Sequence, residues 1–177
     1  MLEEEVELLH SVTRNLQISR SPVELAEMCV NRMHSLIGSQ GNAIWIEEKN
    51  AEPRLLLRGS MPLDEVGMAR LIARFDNHDW TVPLIKNRID GTLLGADFPG
   101  LRNVAIVPIA EGSYRAGWII SCNHTSDREF GTVESSLLNS IATILGTHLH
   151  NLDLYGQYEE LLVGFVKSLV STLDAKD

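Results

Sequence analysis

Six histidines and two cysteines are the residues of this chain best equipped to ligate a metal or attack a substrate. Metal ligands on one helical face stand about four positions apart, and no two of His10, His34, His78, His124, His148 and His150 keep that spacing. His148 and His150 would project from different sides of a helix. The tripeptide His78-Asp79-Trp80 sets an imidazole beside a carboxylate, which is the start of a general-base pair. Adjacent residues do not readily build a triad, however, and no nucleophile stands in a glycine-flanked elbow. Cys29 falls in a helical pattern and Cys122 in a strand-like run, without the dense spacing of a secreted disulfide scaffold, and both read as reduced core residues. The expectation is a domain that is not an enzyme and holds neither metal nor cofactor.

The elements that position these residues belong to one domain with an appendage, since 177 residues bury a single core of moderate size. Apolar residues make up 44% and charged ones 22%, a composition that folds. A net charge of −9, with the fifteen Lys and Arg residues scattered along the chain, argues against nucleic acid as a partner. No apolar run reaches the roughly 18 residues of a membrane span, and the start Met1-Leu2-Glu3-Glu4-Glu5 carries acids where a signal peptide needs bases. A cytoplasmic location without membrane contact follows as the expectation.

Leu2, Val6, Leu9 and Leu16 keep a three-and-four spacing that predicts a first helix, with the run Glu3-Glu4-Glu5 in its opening turn. Ser21-Pro22-Val23-Glu24 is a helix start: a capping serine, proline at the first helical position, and a glutamate that reaches back. The buried face of this second helix would be Leu25, Cys29, Val30, Met33, Leu36 and Ile37, with Gly38 as the stop. Ala43-Ile44-Trp45-Ile46 and Arg54-Leu55-Leu56-Leu57-Arg58 predict two paired strands around the turn Glu48-Lys49-Asn50. Leu63 to Phe75 returns to helical spacing, weakened by Gly67. The segment from Asp76 to Gly100 is irregular, with Pro83, Pro99 and several glycines, and predicts loops with short elements. Asn103 to Ile109 and Ala116 to Cys122 then read as an antiparallel hairpin turning at Glu111-Gly112-Ser113, with Pro108 at a position needing no donor or beside a bulge. From Phe130 to about Asp174 helical spacing continues without proline, too long for a small domain to cover.

This order predicts an α+β domain with one antiparallel sheet. Phe98-Pro99-Gly100-Leu101-Arg102-Asn103, Val107-Pro108-Ile109 and Gly117 resemble the strand-hairpin segment of GAF domains. Phe130, Glu134, Leu137-Leu138, Ile141-Ala142 and Leu154-Tyr155 are similar to the family's last helix, so the likeness spans residues 1 to 155. It implies a sensory domain of a signalling protein, with helices from both chain ends on one sheet face and a small-molecule pocket on the other, under the irregular segment. Long loop-rich stretches inside compact domains commonly serve binding, so His78, Trp80, Asp97, Phe98 and Arg102 are the candidate ligand-binding residues of the rim. The plainer alternative has Trp80 and Phe98 plugging the core while Asp97 and Arg102 stay solvated.

Members that bind cyclic nucleotides carry an Asn-Lys pair, a Phe, and an Asp-Glu four residues later. Here Asn123 and Phe130 match, while His124, Glu134 and Ser135 replace the rest. If His124 faces Glu134, a charge-assisted hydrogen bond would form on protonation of the imidazole. Light-sensing members attach a bilin through a cysteine commonly followed by histidine; Cys122 is followed by Asn123 and Cys29 suits a helix core. The few relatives that reduce methionine sulfoxide use a cysteine cluster, which two separated thiols do not form. The ligand stays unidentified, and a ligand-free dimerisation module of a histidine kinase or diguanylate cyclase is the competing reading.

Ser171-Thr172-Leu173-Asp174-Ala175-Lys176-Asp177 resembles the opening of HD-GYP phosphodiesterase domains, which act on cyclic di-GMP. That resemblance implies an output domain in cis beyond residues 156–177, a linker helix leaving the sensory domain. Leu138, Ile141, Leu145, His148, Leu152, Tyr155, Glu159, Leu162, Val166, Leu169 and Leu173 alternate steps of three and four, the spacing of a coiled-coil seam. A parallel homodimer through this helix is the expectation, with His148 and Glu159 as its weak positions.

Overall fold

The computed structural model describes residues 3, 4, 7, 21–48 and 51–175. Apart from Glu3, Glu4 and Glu7, which are helical, the first predicted helix lies outside the described residues. The remaining elements run α1 (Pro22–Leu36), β1 (Ser39–Ile46), β2 (Arg54–Gly59), α2 (Glu65–Arg74), β3 (Leu84–Lys86), α3 (Leu93–Asp97), β4 (Val104–Glu111), β5 (Tyr114–His124) and α4 (Thr132–Asp174). The strands form one five-stranded sheet in the order β2-β1-β5-β4-β3, and every neighbouring pair is antiparallel. The α+β expectation holds.

Strand side chains alternate between two cores, as the period of two requires. Ile44, Ile46, Ala105, Val107, Ile109 and Ile119 enter a first cluster with residues of α1 and α4, so both helices lie on that face. Ala43, Val104, Ile106, Trp118, Ile120 and Cys122 enter a second cluster with Met68 and Leu71 of α2. Pro108 lies past the end of β3, which pairs with β4 only from Val104 to Ile106, and a bulge follows it between Ile109 and Ala110. The missing donor therefore breaks no ladder bond to β3.

α1 begins at the expected place, with Ser21 as N-cap and Pro22 at the first position, although the Ser21 hydroxyl makes no cap hydrogen bond. The helix stops one residue before the anticipated glycine, with Ile37 as an extended C-cap. Gly38 serves a different purpose: a Cβ there would sit 3.2 Å from His124 Cε1, so its bareness lets the end of β5 approach. His34 of α1 meets Asn42 Nδ2 at 3.1 Å, and Asn42 Oδ1 accepts from Ser39 and Ser121 at 2.8 and 2.7 Å. This buried network fixes α1 on β1 and β5.

α4 has 43 residues and is about 65 Å long at 1.5 Å per residue. Leu137, Leu138, Ile141, Leu145 and Leu149 pack against the sheet, whereas every described residue from 157 onward is exposed.

Candidate functional site

The second sheet face is roofed by α2, α3 and the segment joining α2 to β4. α2 starts where Asp64 caps it, its Oδ1 accepting from Gly67 N at 2.7 Å. That bond places Met68 and Leu71, both fully buried, over the sheet, where they meet Phe98 and Leu101 from the chain ahead of β4. Gly67, which weakened the helix on paper, sits in this first turn because a Cβ would come within 3.0 Å of the capping oxygen.

Of the five candidate residues, His78 and Trp80 touch each other, Asp97 and Phe98 line one cleft, and Arg102 lines another. The ring of His78 stands edge-on to Trp80 at 4.7 Å, and Trp80 stands edge-on to Trp118 of β5 at the same distance. His78 Nε2 and the Val82 carbonyl are 3.0 Å apart. Asp79, next to His78 in sequence, accepts from Thr81 N and Oγ1, and these bonds hold its carboxyl below the usual range.

Phe98 is buried in the second core beneath the guanidinium of Arg70, 5.2 Å from its ring centre. Asp97 pairs with Arg74 at 2.8 Å on the surface. Both line a cleft of about 310 Å³ with Asp64 and Arg70. Arg102 lines a different cleft of about 260 Å³ among charged and polar residues, pairing there with Asp127 and reaching the His124 carbonyl at 3.3 Å.

Three asparagines hold this second region together; pattern reading named Asn103 and Asn123 but not Asn87. Asn123, at φ 60°, accepts from Arg102 N at 2.7 Å and donates to Gly100 O at 2.8 Å. Asn103 donates to Arg128 O and accepts from His124 N, both at 2.8 Å. Asn87 exchanges two bonds with the backbone of Phe130. The two residues that match a cyclic-nucleotide signature, Asn123 and Phe130, are thus engaged in structure, and Glu134, which replaces the signature's aspartate, accepts from Gly131 N through Oε2 at 2.9 Å to start α4.

His124 does face Glu134, at 3.6 Å from Nε2 to Oε1. Its Nδ1, however, lies 3.2 Å from the backbone N–H of Ser126 and accepts from it.

Both thiols are fully buried on opposite faces of the sheet; burial pushes Cys29 up to about 12 and Cys122 well above the usual thiol range. Among the described residues no group of three or more His, Cys, Asp or Glu side chains is placed to hold a metal. Nor is any described helix long and apolar enough to cross a membrane.

No protein-family profile matches the chain, and no curated protein matches it. Solved structures do, and they define the fold as that of GAF domains. The GAF domain of a putative sensor histidine kinase from Pseudomonas syringae pv. tomato superposes with a TM-score of 0.60 at 18% identity, covering 88% of this chain and 93% of that one. The GAF domain of an Acinetobacter phosphoenolpyruvate-protein phosphotransferase gives 0.61 at 14% identity, over 84% and 94%. A far-red absorbing protein in its dark state, with bound biliverdin IXa, gives 0.60 at 13% identity, over 82% and 99%.

Proposed function

We propose that the chain is a small-molecule-sensing regulatory module of cytoplasmic signalling. In this reading residues 1–155 form the sensor, and residues 156–177 carry its state through a paired α4 to an output domain in cis. One observation carries the reading: past the sheet, α4 exposes Tyr155 (62%), Leu161 (73%), Phe165 (62%) and Leu173 (64%) to solvent. A helix that leaves so much apolar surface bare is held by something that covers it. Tyr155, Leu162, Val166, Leu169 and Leu173 lie along one seam, which a parallel second copy would bury. Tyr158, Leu161 and Phe165 fall beside that seam. They remain bare in a simple pair, and packing by an output domain accounts for them. The C-terminal likeness to HD-GYP domains favours a cyclic di-GMP phosphodiesterase as that output. Histidine-kinase and phosphotransferase neighbours support a regulatory role, and the biliverdin-bound neighbour supports a small molecule as the signal.

His148 and Glu159 interrupt the seam, which leaves two packings of α4 close in energy, as a transmitter requires. The second reading, a ligand-free dimerisation module of a histidine kinase or diguanylate cyclase, is favoured by the apolar filling of the second face. A thermal-shift screen with cyclic nucleotides, amino acids, haem and short organic acids separates them, because a ligand of the native state raises the melting temperature. Light scattering on the full chain and on a version ending at Tyr155 tests the pairing: a dimer is expected for the first and a monomer for the second. A monomeric full chain at micromolar concentration overturns it.

A further inference from the structure

Building on the reading that the second sheet face takes a small molecule, we infer that its aromatic end is a site for a planar aromatic carboxylate. Trp45 and Trp118 form the stacking floor, Arg115 supplies the counter-charge, and Trp80 is the movable cover. Every tryptophan of the chain is at this one place, brought there by register. Trp45 is the Cα partner of Trp118; Leu55 continues the row on β2 and Pro108 on β4. Leu55, Trp45 and Pro108 are half-buried, so the row is a floor open at its surface.

Arg115 precedes Trp118 by three positions, which in a regular strand places the two on opposite faces. The bulge reverses this. Pro108 pairs with Trp118, whereas Ala110, two residues on and on the same face, pairs with Arg115; the extra residue Ala116 turns into the first core. The guanidinium consequently lies 4.9 Å from the centre of the Trp118 ring. Arg115 takes part in none of the ion pairs among the described residues. An arginine held over an indole, and in no ion pair among the described residues, keeps its planar fork of donors for an incoming anion.

Glu47 sets the orientation. Its Oε1 accepts from Trp118 Nε1 at 3.3 Å, so a negative charge already borders the indole edge, and a ligand carboxylate is favoured only on the Arg115 side. Trp80 now occupies the position above the floor, edge-on to Trp118 with 72° between the ring planes. It is carried by a turn that closes on itself, with Asp79 bonded to Thr81 and Val82 N donating to Asp79 O at 3.2 Å. The turn can therefore lift as a unit without breaking a strand bond.

Titration calorimetry and NMR of the 15N-labelled tryptophan indoles, with unlabelled indole-3-acetate, indole, acetate and tryptamine, test the assignment. Indole-3-acetate is expected to bind saturably, at least about tenfold tighter than indole or acetate, and to shift the indole N–H resonance of Trp80 as it is displaced. Arg115→Gln should weaken indole-3-acetate by about tenfold while changing indole affinity far less. Trp80→Ala should retain indole-3-acetate binding, with the Trp118 indole resonance still shifting on titration. Tryptamine binding as tightly as indole-3-acetate, or failure of all four probes, overturns the carboxylate site. The wider sensor reading fails separately, when the thermal-shift screen across ligand classes raises no melting temperature.

Discussion

Asn87 and Phe130 close a ring of two hydrogen bonds across 43 positions of sequence: Asn87 Nδ2 donates to the Phe130 carbonyl at 3.0 Å, and Phe130 N donates to Asn87 Oδ1 at 2.9 Å. The amide thereby imitates a strand neighbour and ties the segment after β3 to the start of α4. Truncation leaves two backbone groups of a buried residue without partners, so Asn87→Ala should cost about 2 kcal/mol in urea unfolding. Asn87→Asp keeps the acceptor and loses the donor, and should fall between. A cost under about 0.5 kcal/mol for the alanine variant would mean that water replaces the ring.

Gly117 belongs to the strand-hairpin segment that resembles GAF domains, and the structure gives a reason why no side chain stands there. A Cβ there would lie 1.8 Å from the Trp45 carbonyl oxygen and 2.8 Å from its carbon, both backbone atoms of β1. Nothing flexible is available to yield, so β1 and β5 would have to separate. Gly117→Ala should lose about 3 kcal/mol or more by calorimetry or denaturant melts. Gly164 of α4 is the control: a Cβ meets no atom within 4 Å, and Gly164→Ala should gain up to about 1 kcal/mol from helix propensity alone. Equal effects at the two sites would refute the packing argument.

Much of this fold was legible because apolar spacing reports burial directly. The Ser21-Pro22 start, the two strand pairs and the long last helix all appear where alternation or the three-and-four step places them. The elements of the irregular segment did not show, since β3 holds three residues and α3 five, too few for a period to register. Trp80 and Phe98 were legible as aromatics bound for the second face, but their separation from Arg102 depends on loop geometry. Arg115 was the least legible. Parity puts it on the wrong face until the bulge after Pro108 is counted, and a bulge was only one of two ways to accommodate that proline.

Buried thiols set a chemical limit on what this fold binds here. Cys29 and Cys122 are held protonated by burial, Cys29 up to about 12 and Cys122 further, so neither presents a thiolate at neutral pH. Co-expression with a bilin pathway should give colourless protein, unlike the biliverdin-bound structural neighbour. Ellman's reagent should leave both cysteines unmodified in the native state and titrate both in denaturant. A covalent pigment on either residue would show that the second face or the α1 core opens more readily than its packing indicates.

His148 of α4 has a buried Nε2 without a hydrogen-bond partner among the described residues, near the end of the sheet-packed part of the helix. Burial disfavours the imidazolium and lowers its pKa from 6.5. The sign of the linkage follows. Above pH 6.5 the ring is neutral in folded and unfolded chains alike, and stability is full. As pH falls through the unfolded value toward the depressed folded one, the unfolded chain takes up the proton first, and folding becomes less favourable. Urea unfolding should therefore show stability declining from about neutrality into the mildly acidic range. His148→Leu removes the titrating group and the orphaned nitrogen together, so it should stabilise the fold at pH 8 and more strongly at mildly acidic pH. The difference between the two chains isolates His148 from the other titrating groups, whose contributions are common to both. Parallel pH profiles, with a constant offset between wild type and variant, would show that the imidazole is equally solvated in the folded and unfolded states.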